Sequence, residues 1–512
     1  MKRRQLLKGL GLVSVAAINM SQSLPSFSKP AVNKASKNNQ LINAKESFNL
    51  AFKTDPDLIG FANTGQDFLP QQLTIEGKLP QDIQGCFYRN GPAKHERGNM
   101  RYLHLFEGDG MVHRFHFNKG ELYHHGKFVQ TPKFIKEQRV NKFLYSGPDS
   151  LLDNSLSVSH SDMINTANTN VIAVGDDLWA LWEAGSATAL DAKTLATKKQ
   201  VNLGENSQYG DKIKGMAFSA HPKIETNGDI WNFGLAPSGH VVLYHLTPKG
   251  RAKNVGLINT QYKGGMIHDF LITHKHILLI LPSFINDPNI EGFFAQIKYA
   301  NNLPMKVLVI DKQNLRIKKQ YELESGFAFH YGNAWEDKGG TIHFDASLYK
   351  NNDVLDSFRQ LMEGDHSQSN KGAKTVLFSL KPNGTSSQYA IEGDSEFPRV
   401  FASKVGIKNQ YLFTLTANKS NIWSDTVNCL DVDSGKKTSY FYGNEYLVEE
   451  HIPISPKHSN EQGYLMGTAL HIPSKRTCLN IFKADNLSDG LLCRAWLPYH
   501  IPLGFHGNFK GS

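Results

Sequence analysis

Cysteine is scarce. The 512 residues hold only Cys86, Cys429, Cys478 and Cys493, with no C-x-x-C spacing. That excludes a disulfide scaffold and a thiolate zinc or iron–sulfur site. Cys478 and Cys493 flank an expected hairpin; they either pair in an oxidising compartment or join the others as buried free thiols. Low-complexity tracts are absent, and no apolar run is long enough to span a bilayer. A formal charge of +9 hints at nucleic acid, but Lys2, Arg3, Arg4, Lys8, Lys29, Lys34 and Lys37 all fall in the first forty residues. No basic stripe with interleaved aromatics follows, so no nucleic-acid partner is expected.

What is present begins with a targeting pattern. Lys2-Arg3-Arg4-Gln5-Leu6-Leu7-Lys8 precedes a short apolar run, residues 9–20, and then polar, proline-containing sequence. A charged region followed by a short hydrophobic one fits an export signal, and the paired arginines resemble the twin-arginine type. The bland alternative is a frayed basic tail. Residues 1–45 are therefore set apart as export signal and disordered linker. Residues 46–512 are taken as one folded domain with a periplasmic location.

From about residue 70 the pattern is all-β. Short runs such as Val171-Ile172-Ala173-Val174 and Leu178-Trp179-Ala180-Leu181 alternate with Gly, Asp and Asn turns. A loose repeat, strand then aspartate or lysine turn then strand, recurs at Leu190-Asp191, Ile310-Asp311, Leu430-Asp431 and Phe482-Lys483. Many four-stranded units arranged radially make a β-propeller, which buries sheet faces between blades and leaves a central axis. A pair of β-sandwiches is the competing architecture. Two segments, residues 282–303 and 354–364, are helix-compatible instead. Phe284, Ile285, Ile290, Phe293, Phe294 and Ile297 make the first unusually apolar.

Four histidines stand out. His268 sits in Gly264-Gly265-Met266-Ile267-His268-Asp269-Phe270-Leu271, which reads as a strand with Met266, His268 and Phe270 on one face. His221, His330 and His506 occupy similar apolar or glycine-bounded contexts. A lone buried histidine is usually a hydrogen-bonded core residue. Four of them, spaced 47, 62 and 176 residues apart, are each a blade or more from the next, and a propeller axis can gather them. Imidazole ligation suits Zn, Cu, Fe or Ni, and structural zinc ordinarily includes cysteine. Ligating imidazoles need a partner on the far ring nitrogen, commonly a carboxylate. Glu183, Glu396 and Glu450, each within an apolar strand, are the candidates.

These stretches resemble the carotenoid cleavage oxygenases, a family that includes apocarotenoid and lignostilbene dioxygenases. The resemblance also rests on Gly85-Cys86-Phe87-Tyr88-Arg89-Asn90-Gly91-Pro92, Phe106-Glu107-Gly108-Asp109-Gly110-Met111-Val112-His113, Phe128-Val129-Gln130-Thr131, Glu396-Phe397-Pro398-Arg399 and Gly504-Phe505-His506-Gly507. It runs from about residue 55 onward. It implies a seven-bladed β-propeller, capped by loops and short helices, with Fe(II) on the axis held by His221, His268, His330 and His506. Glu183, Glu396 and Glu450 would orient the rings. The family usually has Glu-Pro where this chain has Glu449-Glu450-His451, so Glu449 is the fallback for the third. Thr169 matches a small residue beside an open iron position. The implied reaction inserts both atoms of O2 across an electron-rich alkene, giving two carbonyl fragments. His104, His113, His116, His124 and His125 match no ligand position and are read as polar partners in the cap and outer blade.

The resemblance leaves the alkene open. Tyr102 and Phe106 are expected to line a polyene tunnel, with ordinary cap packing as the alternative. In stilbene-cleaving members a tyrosine and a lysine hold a phenol, parts that Tyr102 and Lys133 could take. Residues 284–297, as an amphipathic helix, would meet a membrane from which a carotenoid is drawn. Carotenoid or apocarotenoid is the preferred substrate and a phenolic stilbene the second. A non-catalytic propeller would not need the histidine quartet, and the isomerohydrolase branch of the family is a minor third.

Overall fold

The computed structural model describes residues 36–205, 207–367, 372–418, 422–455 and 463–512. The expected export signal lies outside them. Seven antiparallel sheets of four or five strands form a ring, as expected for the propeller. The innermost strands, taken round the axis, are His506–Gly511, Asn170–Val174, Lys223–Ile224, Leu271–Ile272, Phe327–Ala328, Glu396–Arg399 and Tyr446–Ile454.

Alternation along the strands explains the assembly. In the third blade Val242, Tyr244 and Leu246 join the cluster shared with the second blade. Val241 and Leu243, one residue out of step, join the cluster shared with the fourth. A period of two thus gives each blade two apolar faces, and the core is a set of layers between blades. The ring closes at two places. Thr74–Gly77 completes the outer edge of the seventh blade by pairing with Leu491–Trp496. His506–Gly511 supplies the inner strand of the first by pairing with Gly85–Lys94.

The aspartate repeat has a physical basis. Asp191, Asp311 and Asp431 each end the third strand of a blade and accept two backbone N–H groups from the turn that follows. The fourth instance differs: the turn after Phe482-Lys483 is held by the Asn486 side chain accepting from Ser488.

Three expectations need correction. Residues 282–303 form no long helix. Phe284–Asn286 pairs with Ile297–Tyr299, and only the single turn Phe293–Gln296 between them is helical. Pro288 and the left-handed Gly292 (φ 98°) break the segment. Phe284 and Ile297 are buried while Ile285 is exposed, which is strand alternation. The boundary at residue 45 cuts a helix, Lys37–Phe52, whose Leu41, Ala44 and Phe48 are buried. Finally, no ladder runs through residues 266–270; the strand is only Leu271–Ile272. Ile267 and Phe270, three apart, fall in one cluster, so the alternation expected there is broken.

The second helix-compatible segment is a helix, Asp353–Met362, with acidic residues in its first turn and Arg359 in its last, matching its dipole. All four cysteines are buried free thiols. Among the described residues no helix is long and apolar enough to cross a membrane.

Candidate metal centre

His506 starts a strand, whereas His221, His268 and His330 lie in short segments just outside one. Near the axis these segments are held by the backbone on either side: Ser219 donates its N–H to Phe233 O (2.8 Å), and Ser347 donates to the carbonyl of His330 (3.0 Å). Freed from strict alternation, the side chains can all turn to the axis. The four imidazoles are buried, and their candidate ligand atoms all lie within 4.8 Å of one another. Ring centroids of neighbouring pairs are 4.3 to 5.3 Å apart.

Blades without a histidine supply carboxylates. Glu396 Oε2 meets His330 Nδ1 at 2.6 Å, and Glu450 Oε1 meets His506 Nδ1 at 3.0 Å. Glu183, on the second blade, has Oε1 3.4 Å from His268 Nδ1 and 3.7 Å from His221 Nε2, close to both rings but hydrogen-bonded to neither. Every blade therefore contributes one residue, four imidazoles and three carboxylates. Glu450, not Glu449, faces His506; it also accepts the Gly507 N–H (2.8 Å). Glu449 is taken up by Arg89, Thr468 and Gly504.

Electrostatics favour neutral ligands. Burial, with the other rings nearby, holds His221 and His268 well below the usual histidine range. Burial would lower His330 too, but the Glu396 carboxylate overrides it and raises its pKa. For Glu450, Arg399 and His506 outweigh burial and hold the carboxyl at about 2. Burial and the charge of Asp269 push Glu183 up. The Nε2 atoms of His221 and His330 are buried with no hydrogen-bond partner. Buried imidazole nitrogens left unpaired around one point are what a metal ligand set requires. Four imidazoles with no thiolate form a donor set that suits Fe as well as Zn, Cu or Ni.

The centre opens into a cavity of about 1690 Å³. Thr169 lines it, with its hydroxyl tied to Asn168 Oδ1 (3.1 Å). Asn168 also holds the carbonyls of Phe106 (2.9 Å) and Gly108 (2.7 Å), fixing the backbone that carries the Phe106 ring at the cavity wall. Phe106 makes edge contacts with Phe294, Phe329 and Phe505.

Tyr102 and Lys133 do not line the cavity, which corrects their expected role. Lys133 Nζ donates to the Tyr102 hydroxyl (2.6 Å), but both sit in a closed cluster with Arg97, Asp109 and Glu137. Two cations face two anions there. Burial alone would lower the Lys133 pKa, but Asp109, Tyr102 and Glu137 raise it and keep the ammonium charged. Burial, then Glu137, raises the pKa of Tyr102 and keeps its phenol neutral. Their remaining neighbours are Phe143, Leu41 and Ala44, beneath the N-terminal helix.

Of the histidines expected to be polar partners, His113 Nδ1 meets His124 Nε2 at 3.0 Å, and His104 Nδ1 accepts the Phe106 N–H (3.2 Å) while its ring stacks on Phe294. Sequence reasoning missed Phe397, whose ring stacks on His330 (5.0 Å) while its backbone is left-handed (φ 51°). It also missed Phe329, 5.1 Å from the His268 ring, and the cavity residues Phe358 and Trp423. The available signal was position: Phe329 and Phe505 immediately precede two of the histidines, and Phe397 follows Glu396.

Comparison with known proteins agrees with this geometry. The family model described as RPE65, retinal pigment epithelial membrane protein, matches residues 61–511. Apocarotenoid-15,15'-oxygenase of Synechocystis sp. is 27% identical over 482 residues, covering 88% of this chain and 95% of that protein. Lignostilbene-alpha,beta-dioxygenase isozyme III of Sphingomonas paucimobilis is 26% identical, covering 86% and 94%. Among solved structures, cobalt-substituted Synechocystis ACO superposes with a TM-score of 0.78 at 26% identity, covering 90% of this chain and 99% of that one. A propeller closed by its own C-terminal strand, four converging imidazoles and a family match across nearly all of the folded chain lead to one conclusion: the chain belongs to the RPE65 and carotenoid cleavage oxygenase family.

Proposed function

We propose that the protein is a non-haem Fe(II) dioxygenase that cleaves one carbon–carbon double bond of a carotenoid or apocarotenoid with O2, giving two carbonyl products. The observation that carries this reading is the four-imidazole centre opening into an aromatic-lined cavity. Iron bound there supplies the redox chemistry that joins O2 to an alkene. The chain's share is to hold the rings and position the substrate. Glu396 and Glu450 restrain their imidazoles by hydrogen bonds, Glu183 stands beside the His268 ring, and Phe106, Phe329, Phe358, Phe397 and Trp423 offer ring faces and edges to a polyene. Burial of the centre limits water.

The cavity volume, about 1690 Å³, exceeds the roughly 300–1,000 Å³ of ordinary small-molecule sites and leaves room for a substrate as large as a carotenoid. That Tyr102 and Lys133 lie in a closed cluster outside the cavity supports the polyene over the stilbene. The assay incubates Fe(II)-loaded enzyme with an apocarotenal, β-carotene and 4-hydroxystilbene and identifies the aldehydes. Aldehydes from the polyenes are expected; cleavage of the stilbene alone would overturn the substrate assignment. Stoichiometric zinc after anaerobic purification, with no activity on adding Fe(II), would overturn the iron reading.

Periplasmic export is part of the same proposal and rests on Lys2-Arg3-Arg4 and the apolar run after it; cell fractionation tests it. Membrane contact loses its amphipathic helix, and what supports it is the exposed Ile285 and Phe293 on the hairpin beside the cavity.

A further inference from the structure

Glu449 and Glu450 are consecutive residues of one strand, so alternation should send their side chains to opposite faces. The pairing of that strand shifts between Val448↔Ala469 and His451↔Gly467, placing two residues opposite Thr468 alone. This is a β-bulge, which re-aims side chains next to functional sites. Both carboxylates consequently reach the segment that carries His506. Glu450 takes the ring and the Gly507 N–H. Glu449 takes the Gly504 N–H, the Thr468 hydroxyl and the Arg89 guanidinium.

Arg89 completes the grip. Its Nη2 also donates to Pro502 O (3.0 Å), and Arg89 and Glu449 are each only 3% exposed. Gly504 passes so close that a Cβ there would lie 2.1 Å from Arg89 Nη2. Beyond the grip the chain enters the closing strand, where His506 pairs with Asn90 and Gly507 with Arg89. The fourth ligand and the strand that closes the ring are thus one segment, fixed before and after the imidazole by neighbouring carboxylates.

We propose that Arg89 and Glu449 are positioning residues for the metal centre, and that they couple metal occupancy to closure of the propeller between Gly85–Lys94 and His506–Gly511. They touch neither substrate nor metal. They set where residues 502–504 run and hence where the His506 ring stands. Conversely, a metal that fixes His506 holds the closing strand in place. The proposal rests on the metal reading above.

The test measures Fe(II) affinity anaerobically, together with deuterium exchange of the peptide spanning residues 506–511, for wild type, Glu449→Gln and Arg89→Lys. In wild type, Fe(II) should slow exchange in this peptide more than in the fourth-blade strand His276–Leu281. Partners that orient a ligand typically govern 10- to 100-fold in metal affinity. Glu449→Gln and Arg89→Lys are therefore each expected to weaken Fe(II) binding by about that factor, with faster exchange in residues 506–511 of the metal-free protein. Wild-type affinity with unchanged exchange in either variant would overturn the positioning role. Equal slowing of both peptides by Fe(II) in wild type would overturn the coupling. Should Glu449→Gln fail to fold, Arg89→Lys and the wild-type comparison still decide. Failure of wild type to bind Fe(II) at all would instead refute the metal reading.

Discussion

At the scale of single residues, the four converging histidines were legible in the sequence because each sits alone in an apolar or glycine-bounded stretch. Lys133 was not, because the sequence cannot show that Asp109 and Glu137 enclose it. That enclosure makes a prediction. Lys133→Met leaves Asp109 and Glu137 ion-paired to Arg97 alone among the described residues, and breaking a buried ion pair this way typically costs about 3–5 kcal/mol. Urea unfolding should show a loss of that order, whereas KM of the folded fraction for the alkene should stay within about twofold; a KM rise without a stability loss would return Lys133 to the substrate. The ligand rings predict a pH dependence. His221, His268 and His506 are held below their ordinary range, so below about pH 6.5 the unfolded chain binds protons that the folded metal-free chain does not, and stability falls with pH. His330, raised by Glu396, acts in the opposite sense: it stabilises below the unfolded histidine value, and that contribution fades as pH rises through its folded pKa. Glu450 stabilises above the unfolded carboxylate value and loses that contribution only as pH falls through about 2. The buried histidines held low are these three with His95, His104, His113, His124 and His451. They outnumber His330 and the raised carboxyls of Glu183 and Asp345, so the melting temperature of metal-free protein should drop between about pH 7.5 and about pH 5.5. The drop should be shallower in the His221→Asn, His268→Asn double variant.

At the scale of elements, the strands were readable from alternation, and the helix Asp353–Met362 from its position. Residues 282–303 were misread because an apolar run with Phe and Ile at mixed spacing suits a helix or a hairpin equally, and the deciding features are Pro288 and the positive φ of Gly292. The helix Lys37–Phe52 was cut because its mean polarity resembles a linker; only Leu41, Ala44 and Phe48, at spacings of three and four, mark the buried stripe. That helix is part of the fold. Phe48 is 1% exposed and lies under the Arg101 guanidinium, 3.5 Å from the ring centroid. Removing a buried phenylalanine side chain costs about 3–5 kcal/mol. Phe48→Ala should therefore lower the urea midpoint clearly, while Leu50→Ala, at a position 68% exposed on the same helix, should leave it nearly unchanged. Equal effects would mean that the helix is not docked.

At the scale of the whole molecule, seven sheets that contact mainly their neighbours each bring one residue to the axis. Four blades bring imidazoles there and the other three bring carboxylates, so a bound metal ties together parts of the ring that otherwise share no layer of core. A ligand that binds only the folded state stabilises it by RT ln(1 + [L]/Kd), about 2.7 kcal/mol at a hundredfold excess over Kd. For this chain that stabilisation requires His506, which lies on the last strand of the sequence, paired with Gly85–Lys94 of the first blade. Anaerobic Fe(II) should raise the melting temperature of wild type. His506→Ala should abolish most of the rise, because the remaining three ligands no longer include the closing strand. His451→Ala offers the comparison: that histidine is equally buried and neighbours Glu450, but it hydrogen-bonds Tyr442 and the carbonyl of Glu449, away from the centre. It should lower the starting melting temperature and leave the iron-dependent rise intact. If both variants lost the rise equally, general loosening of the seventh blade would explain it better than the loss of a ligand.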